Sequence, residues 1–333
     1  MTLSTANEAL APRSAGHFEY LPAALFGSVM GLTGLSLVWS IMHARHGAPA
    51  WIAAVLAIVA SIAFLLVCLG YAIKMATAPQ SVRAEFGHPI AVNMFATFWV
   101  SMLLLPLVLA PFHRGIAYGL WLAGAIGMMG FATYIVSRWL SSQHQMPHAT
   151  PAWILPVVGL LDMPLAVPVL TVPHGQAFVL VGTAIGLFFA IPLFTIVFSR
   201  LVFEPPMPAP MQPSLMILVA PFAVGMSTYV EASGQMDLFA RSLYVLTIFM
   251  LVVLLGRLRH LPKCCPFRVA WWAVSFPLTA TAIAALRFAQ AEPGLLTEAI
   301  AFAVVALSTL VVLWLLGRTS LGILRGELRT LSL

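Results

Sequence analysis

Ten stretches of this chain are each apolar for about the 20 residues that a helix needs to cross a bilayer. They run approximately Leu21–Met42, Ala50–Met75, Ile90–Ala110, Ile116–Leu140, Pro151–Leu170, Gln176–Leu201, Leu215–Glu231, Leu238–Leu258, Pro266–Phe288 and Leu295–Gly317. In hydrocarbon, backbone N–H and C=O groups must find partners within the protein, so stretches of this length are helices. Only 8% of the residues are charged, against about 25% in soluble domains. That is too little charge to cover a soluble surface. The sequence predicts an all-α integral membrane protein with ten spans over 21–317. Residues 1–20 are polar, without a signal-type apolar core, and read as a tail. Residues 318–333 read as a second tail.

Sidedness follows from lysine and arginine. The side of the amino terminus receives Arg13, Lys74, Arg83, Arg138, Arg200, Arg257, Arg259, Lys263, Arg268, Arg318, Arg325 and Arg329. The other side receives Arg45, Arg114, Arg241 and Arg287, a split of 12 against 4. Both termini are therefore expected in the cytoplasm. Arg241 and Arg287 are expected to snorkel at outer helix ends.

Prolines divide the spans into two classes. The odd ones carry Pro22, Pro106, the group Pro151, Pro156, Pro164 and Pro168, then Pro221, then Pro266 and Pro277. The even ones carry only Pro192. A proline facing lipid leaves a carbonyl unpaired at a cost of several kcal/mol, which shielding by protein or a watery cavity relieves. This alternation has a period of two helices. It predicts five consecutive hairpins whose kinked odd members form an inner ring around a central pore, with the even members outside.

The chemistry of enzymes is missing. There is no HExxH, no glycine-rich phosphate loop and no GxSxG. The nine histidines lie in tails, loops or span ends, which argues against a haem bundle. Cys68, Cys264 and Cys265 lack metal-ligand spacing and read as reduced thiols. No enzyme, cofactor or metal is expected, and the basic residues read as topology rather than a nucleic-acid surface. One carboxyl stands inside a span, Asp162 in PVVGLLDMPLAVP. It is either a functional proton site or a cap on the break at Pro164.

Three stretches go further. They are LPAALFGSVMGLTGL in the first span, VRAEFGHPIAVNMF with Glu85, His88, Pro89 and Asn93 at the third, and VAWWAVSFPLTATAIAALRF in the ninth. Together they resemble the tellurite-resistance/dicarboxylate transporter family, which includes the slow-type anion channels of plant guard cells. The resemblance implies a homotrimer of ten-helix subunits, each with its own pore, in a bacterial inner membrane among lipids. It implies that a ninth-span phenylalanine, here Phe276, occludes that pore. It further implies gate support and pore lining by Ser275, Pro277 and Thr279, and by Phe26, Gly27, Gly31, Asn93, Pro106, Asp162, Pro164, Pro221 and Ser227. Arg45, Arg114 and the cluster Arg257, Arg259 and Lys263 could gather anions at the two mouths.

On this reading Pro277 bends the ninth span so that Phe276 crosses the lumen, while the hydroxyls of Ser275 and Thr279 face anion or water. The expected function is a gated channel for small monovalent anions such as chloride and nitrate. Family members often carry Gly-Asn in the fifth span where this chain reads GLLDMP. The alternative is therefore proton-coupled transport of a C4-dicarboxylate, sulfite or a tellurite-type anion through Asp162.

Overall fold

The computed structural model describes residues 18–259 and 266–332; Arg13, Lys263, Cys264, Cys265 and most of the amino-terminal tail lie outside them. Among the described residues are ten membrane-length helices: α1 (Ala23–His46), α2 (Ala50–Thr77), α3 (Ala91–Leu109), α4 (Arg114–Ser141), α5 (Pro151–Leu170), α6 (Gly175–Phe203), α7 (Ala209–Ser233), α8 (Leu238–Leu258), α9 (Val269–Ala291) and α10 (Leu295–Leu324). Two boundaries differ from expectation by more than four residues. The seventh span begins at Ala209 rather than Leu215, and the tenth continues past Gly317 to Leu324, into the stretch read as a tail.

Each odd helix packs on the even helix that follows it, which gives five hairpins. The odd helices also touch one another in order, α1 to α3, α5, α7 and α9, and α9 closes back on α1. Burial confirms the two rings. In the most apolar window of each odd helix 67–78% of residues are buried, against 22–39% in the even helices. The even helices turn Trp51, Leu65, Phe188 and Leu310 outward, as lipid-facing surfaces do.

The breaks in the inner helices differ from the expected kinks. Every odd helix opens in 3-10 geometry and then becomes α-helical. The 3-10 parts are Ala23–Phe26, Ala91–Phe95, Pro151–Ile154, Ala209–Val219 and Val269–Val274. Pro221 and Pro277 stand in the first turn of the α-helical parts that follow, Ala220–Ser233 and Ser275–Ala291. A missing N–H costs little there, because the first turn has no intrahelical acceptor for it. Pro277 thus marks a change of helix type. Pro106 and Pro192 do sit inside α-helical segments, Ala96–Leu109 and Gly175–Phe203. Helix α5 alternates between the two geometries along its length.

Runs of 3-10 helix beyond three or four residues are uncommon because their hydrogen bonds are poorly aligned. Here side chains of neighbouring helices supplement them. Each hydroxyl is shared with a carbonyl of its own helix: Thr97 reaches Ala23 O at 3.0 Å and Met94 O at 2.7 Å, Ser101 reaches Phe26 O at 3.2 Å and Thr97 O at 2.7 Å, and Ser275 reaches Gly27 O at 3.3 Å and Trp272 O at 2.6 Å. Thr228 donates to Leu161, and the indole of Trp121 to Met163 at 3.0 Å. These bonds tie the ring together at the places where its backbone changes pitch.

Helices α1 and α9 pack with almost no gap. A Cβ built on Gly31 would overlap Ser275 Oγ and Cβ, and one on Gly34 would overlap Thr279 Oγ1. Gly31→Ala is therefore expected to destabilise the protein by about 1–3 kcal/mol through overpacking. Thermal unfolding in detergent should show a lower midpoint, partly restored by Ser275→Gly in the same chain. An unchanged midpoint for Gly31→Ala would mean that the two helices are free to separate.

Candidate functional site: two cavities inside the inner ring

The inner helices present continuous stripes to the axis of the ring. On α7 the stripe is Ile217, Ala220, Val224, Ser227 and Glu231; on α9 it is Phe276, Ala280, Ile283 and Arg287. Within the α-helical parts these residues follow the spacing of one helical face. They line two cavities. The first, of about 230 Å³, lies among the amino-terminal halves of the odd helices and is walled by Gly27, Thr97, Val158 and Pro277 among others. The second, of about 280 Å³, lies among their carboxy-terminal halves, with Gly34, Leu104, Ser227 and Arg287 in its wall. Three residues border both cavities: Asp162, Val224 and Phe276. The cavities thus lie end to end and adjoin at a phenyl ring, an isopropyl group and a carboxyl group.

The expected site residues divide sharply. Phe276, Pro277, Gly27, Asp162 and Ser227 are on the walls. The others stand behind them. Ser275 and Thr279 face the glycines of α1, and their hydroxyls donate to the carbonyls of Trp272 and Phe276. They serve helix packing and leave no hydroxyl turned to an ion. Gly31 meets Ser275, and Pro164 packs on Gly182 of α6. Phe26 sits in an aromatic cluster with Phe64, Tyr71 and Phe98. Asn93 donates to the carbonyls of Pro89 and Ile90 and so closes the opening turn of α3. Pro106 and Pro221 are buried but border neither cavity.

Asp162 is 2% exposed, and its Oδ1 accepts no hydrogen bond among the described residues. That oxygen does not cap the break at Pro164, contrary to one of the two sequence readings.

The arginines at the second cavity's end have specific tasks. Arg45 donates to Leu286 O of α9 at 2.6 Å and pairs with Glu298 at 2.7 Å. Arg114 donates to Val169 O of α5 at 3.2 Å and to Thr171 Oγ1 at 2.6 Å. Arg287 donates to Ser227 O of α7 at 3.2 Å. Each neutralises carbonyls near the carboxy-terminal, electronegative end of an inner helix. Arg45 and Arg114 are thereby bound into helix ends rather than free at a mouth. Arg241 pairs at the surface with Glu292 at 2.6 Å. Arg287 does not snorkel outward; it turns into the second cavity beside Glu231. The sequence reading missed Arg287, Glu231 and Val224. The signal for Arg287 was present, since it lies three turns beyond Phe276 on the same helical face.

The family model for voltage-dependent anion channels matches residues 20–320. The chain belongs to that family. It is 26% identical over 306 residues to the S-type anion channel SLAH3 of Arabidopsis thaliana, covering 90% of this chain and 48% of the plant protein. It is 26% identical over 274 residues to a tellurite resistance protein TehA homolog of Haemophilus influenzae, covering 80% of this chain and 81% of that protein. An uncharacterized transporter of Methanocaldococcus jannaschii matches at 25% over 284 residues, 76% of this chain and 80% of the archaeal one. The chain spans about half the length of the plant channel. The resemblance drawn from the three stretches in the first, third and ninth spans is thus upheld: the family is one of anion channels and transporters, not of enzymes.

Proposed function

We propose that this protein is a gated channel for small monovalent anions such as chloride and nitrate, with one pore inside each subunit and Phe276 as the occluding group. The observation that carries the reading is the pair of cavities that adjoin end to end at Phe276, Asp162 and Val224. A ring of apolar side chains at a constriction blocks ions sterically and by dewetting. The five odd helices run in parallel, so their amino-terminal ends, with partial positive charge, converge around the first cavity. Arginines offset the opposite ends. Such a pore attracts anions by oriented backbone, and among the described residues no fully buried cation borders either cavity to hold them too tightly to leave. Membership of the anion-channel family supports the same substrate class. Further parts of this reading are a homotrimer, contact with membrane lipids, residence in a bacterial inner membrane, and both termini in the cytoplasm.

A second reading rests on Asp162, a buried carboxyl at the junction itself. An ionised carboxylate there repels a passing anion, whereas a protonated one does not. That arrangement suits proton-coupled transport of a C4-dicarboxylate, sulfite or a tellurite-type anion. Flux from proteoliposomes separates the two. A channel releases chloride and nitrate down their gradients with no pH difference across the membrane. A coupled transporter needs the proton gradient, and Asp162→Asn removes that dependence. A proton-driven flux that survives Asp162→Asn unchanged would eliminate Asp162 as the coupling site.

A further inference from the structure

Among the described residues the second cavity holds one guanidinium, Arg287, and its surroundings differ from those of the other two arginines at that end. Arg45 and Arg114 each have a backbone carbonyl and a side-chain oxygen within 3.2 Å, and neither borders either cavity. Arg287 borders the cavity, and among the described residues its one hydrogen bond runs from Nη1 to Ser227 O. Its ion pair with Glu231 is long, 3.9 Å, and uses the same Nη1. A bidentate arginine–carboxylate pair sits about 1 Å closer and occupies two N–H groups. The rest of the fork, Nε and Nη2, donates to no group among the described residues. The side chain remains about one-third exposed, at 32%. Ser227 borders the same space.

We propose that Arg287 is the anion-capture residue of this vestibule, that its planar fork biases the pore toward planar oxyanions such as nitrate over spherical halides, and that Glu231 is its built-in competitor. This deepens the channel reading and rests on it. A planar guanidinium matches a planar oxyanion through paired N–H donors, whereas it meets a halide as a simple charge. Arg287 lies eleven residues beyond Phe276 on one face, about 16 Å along an α-helix. Ala280 and Ile283 intervene on that face. An anion captured at Arg287 therefore waits about three helical turns from the occluding ring, within the same cavity. Glu231 prevents tight retention, because the guanidinium exchanges the anion for its own carboxylate. Capture weak enough to release is what conduction requires.

The test uses the full chain in planar bilayers, in a Phe276→Ala background, with nitrate or chloride varied on the Arg287 side. Arg287→Gln is expected to raise the half-saturating nitrate concentration about tenfold, the effect of removing one charge-assisted hydrogen bond, and to abolish the nitrate preference over chloride. Arg287→Lys should keep saturable uptake and lose the preference. Glu231→Gln should lower the half-saturating concentration. Current with unchanged saturation and unchanged nitrate-to-chloride ratio in Arg287→Gln overturns the proposal and leaves the channel reading intact. A second readout does not depend on conduction. Nitrate, substituted for gluconate at constant ionic strength, should raise the unfolding midpoint of the detergent-solubilised protein by binding the folded state. Arg287→Gln and Arg287→Lys should lose most of that shift. Equal nitrate stabilisation in all three proteins overturns the capture site. Absence of current in Phe276→Ala, with nitrate stabilisation intact and dependent on Arg287, overturns the channel reading alone.

Discussion

Phe276→Ala is expected to convert a nearly silent protein into one that carries large anion currents. Phe276 is 8% exposed and borders both cavities, so removal of its ring joins them. Of the other two residues at the junction, Val224 is small and Asp162 is polar, so neither closes an apolar seal once the phenyl ring is gone. Each 1.4 kcal/mol removed from a crossing barrier raises the rate about tenfold, and stripping an anion of water in an apolar neck costs several times that. The mutant current should therefore exceed the wild-type current by at least about tenfold. Phe276→Leu should fall between the two, because it keeps an apolar side chain of smaller girth. Single-channel recording with matched protein amounts checks the order. Wild type and Phe276→Ala carrying the same small current would place the barrier elsewhere on the axis.

The largest stability effect is expected at Lys74, near the end of an outer helix. Lys74 is 3% exposed, and its ammonium donates to Leu21 O and to Glu85 Oε2, both at 2.7 Å. Glu85 in turn accepts from the backbone N–H of Ala23 at 2.7 Å and from Tyr71 OH at 2.9 Å. The network joins the end of α2, the linker helix Pro79–Gly87 and the first turn of α1. Lys74→Met leaves the Glu85 carboxylate without its cation in a largely dehydrated site. Breaking one side of a buried pair costs about 3–5 kcal/mol. Replacing both partners by apolar residues costs much less, because no charge is stranded. The double variant Lys74→Met/Glu85→Met should therefore be more stable than Lys74→Met alone, although Ala23 N–H loses its acceptor. Thermal unfolding in detergent gives the comparison. A double variant as unstable as the sum of two singles would mean that the pair contributes nothing beyond its separate hydrogen bonds.

The span count, the hairpin order and the inner ring were legible because bilayer thickness fixes helix length and because proline alternates with the ring. The faces were not. An α-helix turns about 100° per residue and a 3-10 helix about 120°. Across the six residues Val269–Val274 the difference accumulates to about 120°. A face projected from the start of α9 as if it were all α-helical therefore arrives rotated. Ser275 and Thr279 were expected in the lumen because their hydroxyls suit an anion, but at about 100° per residue both fall to one side of Phe276 and stand against α1 instead. Within the α-helical part the period is regular again, and Phe276, Ala280, Ile283 and Arg287 share a face. The 3-10 openings themselves depend on hydroxyls from other helices, such as Thr97 on Ala23 O, and such partners are invisible to local pattern. Asp162 was visible as a lone intramembrane charge. Its place at the junction depended on how α5 alternates between two pitches.

The inner ring is proposed to enclose a route for anions that is stopped at Phe276. The most direct test is the reversal potential of Phe276→Ala under a potassium chloride gradient across a planar bilayer. A large current is expected that reverses close to the chloride equilibrium potential and shifts toward that of nitrate when nitrate replaces chloride on one side. Reversal near the cation potential, or no current from folded Phe276→Ala protein, would contradict it.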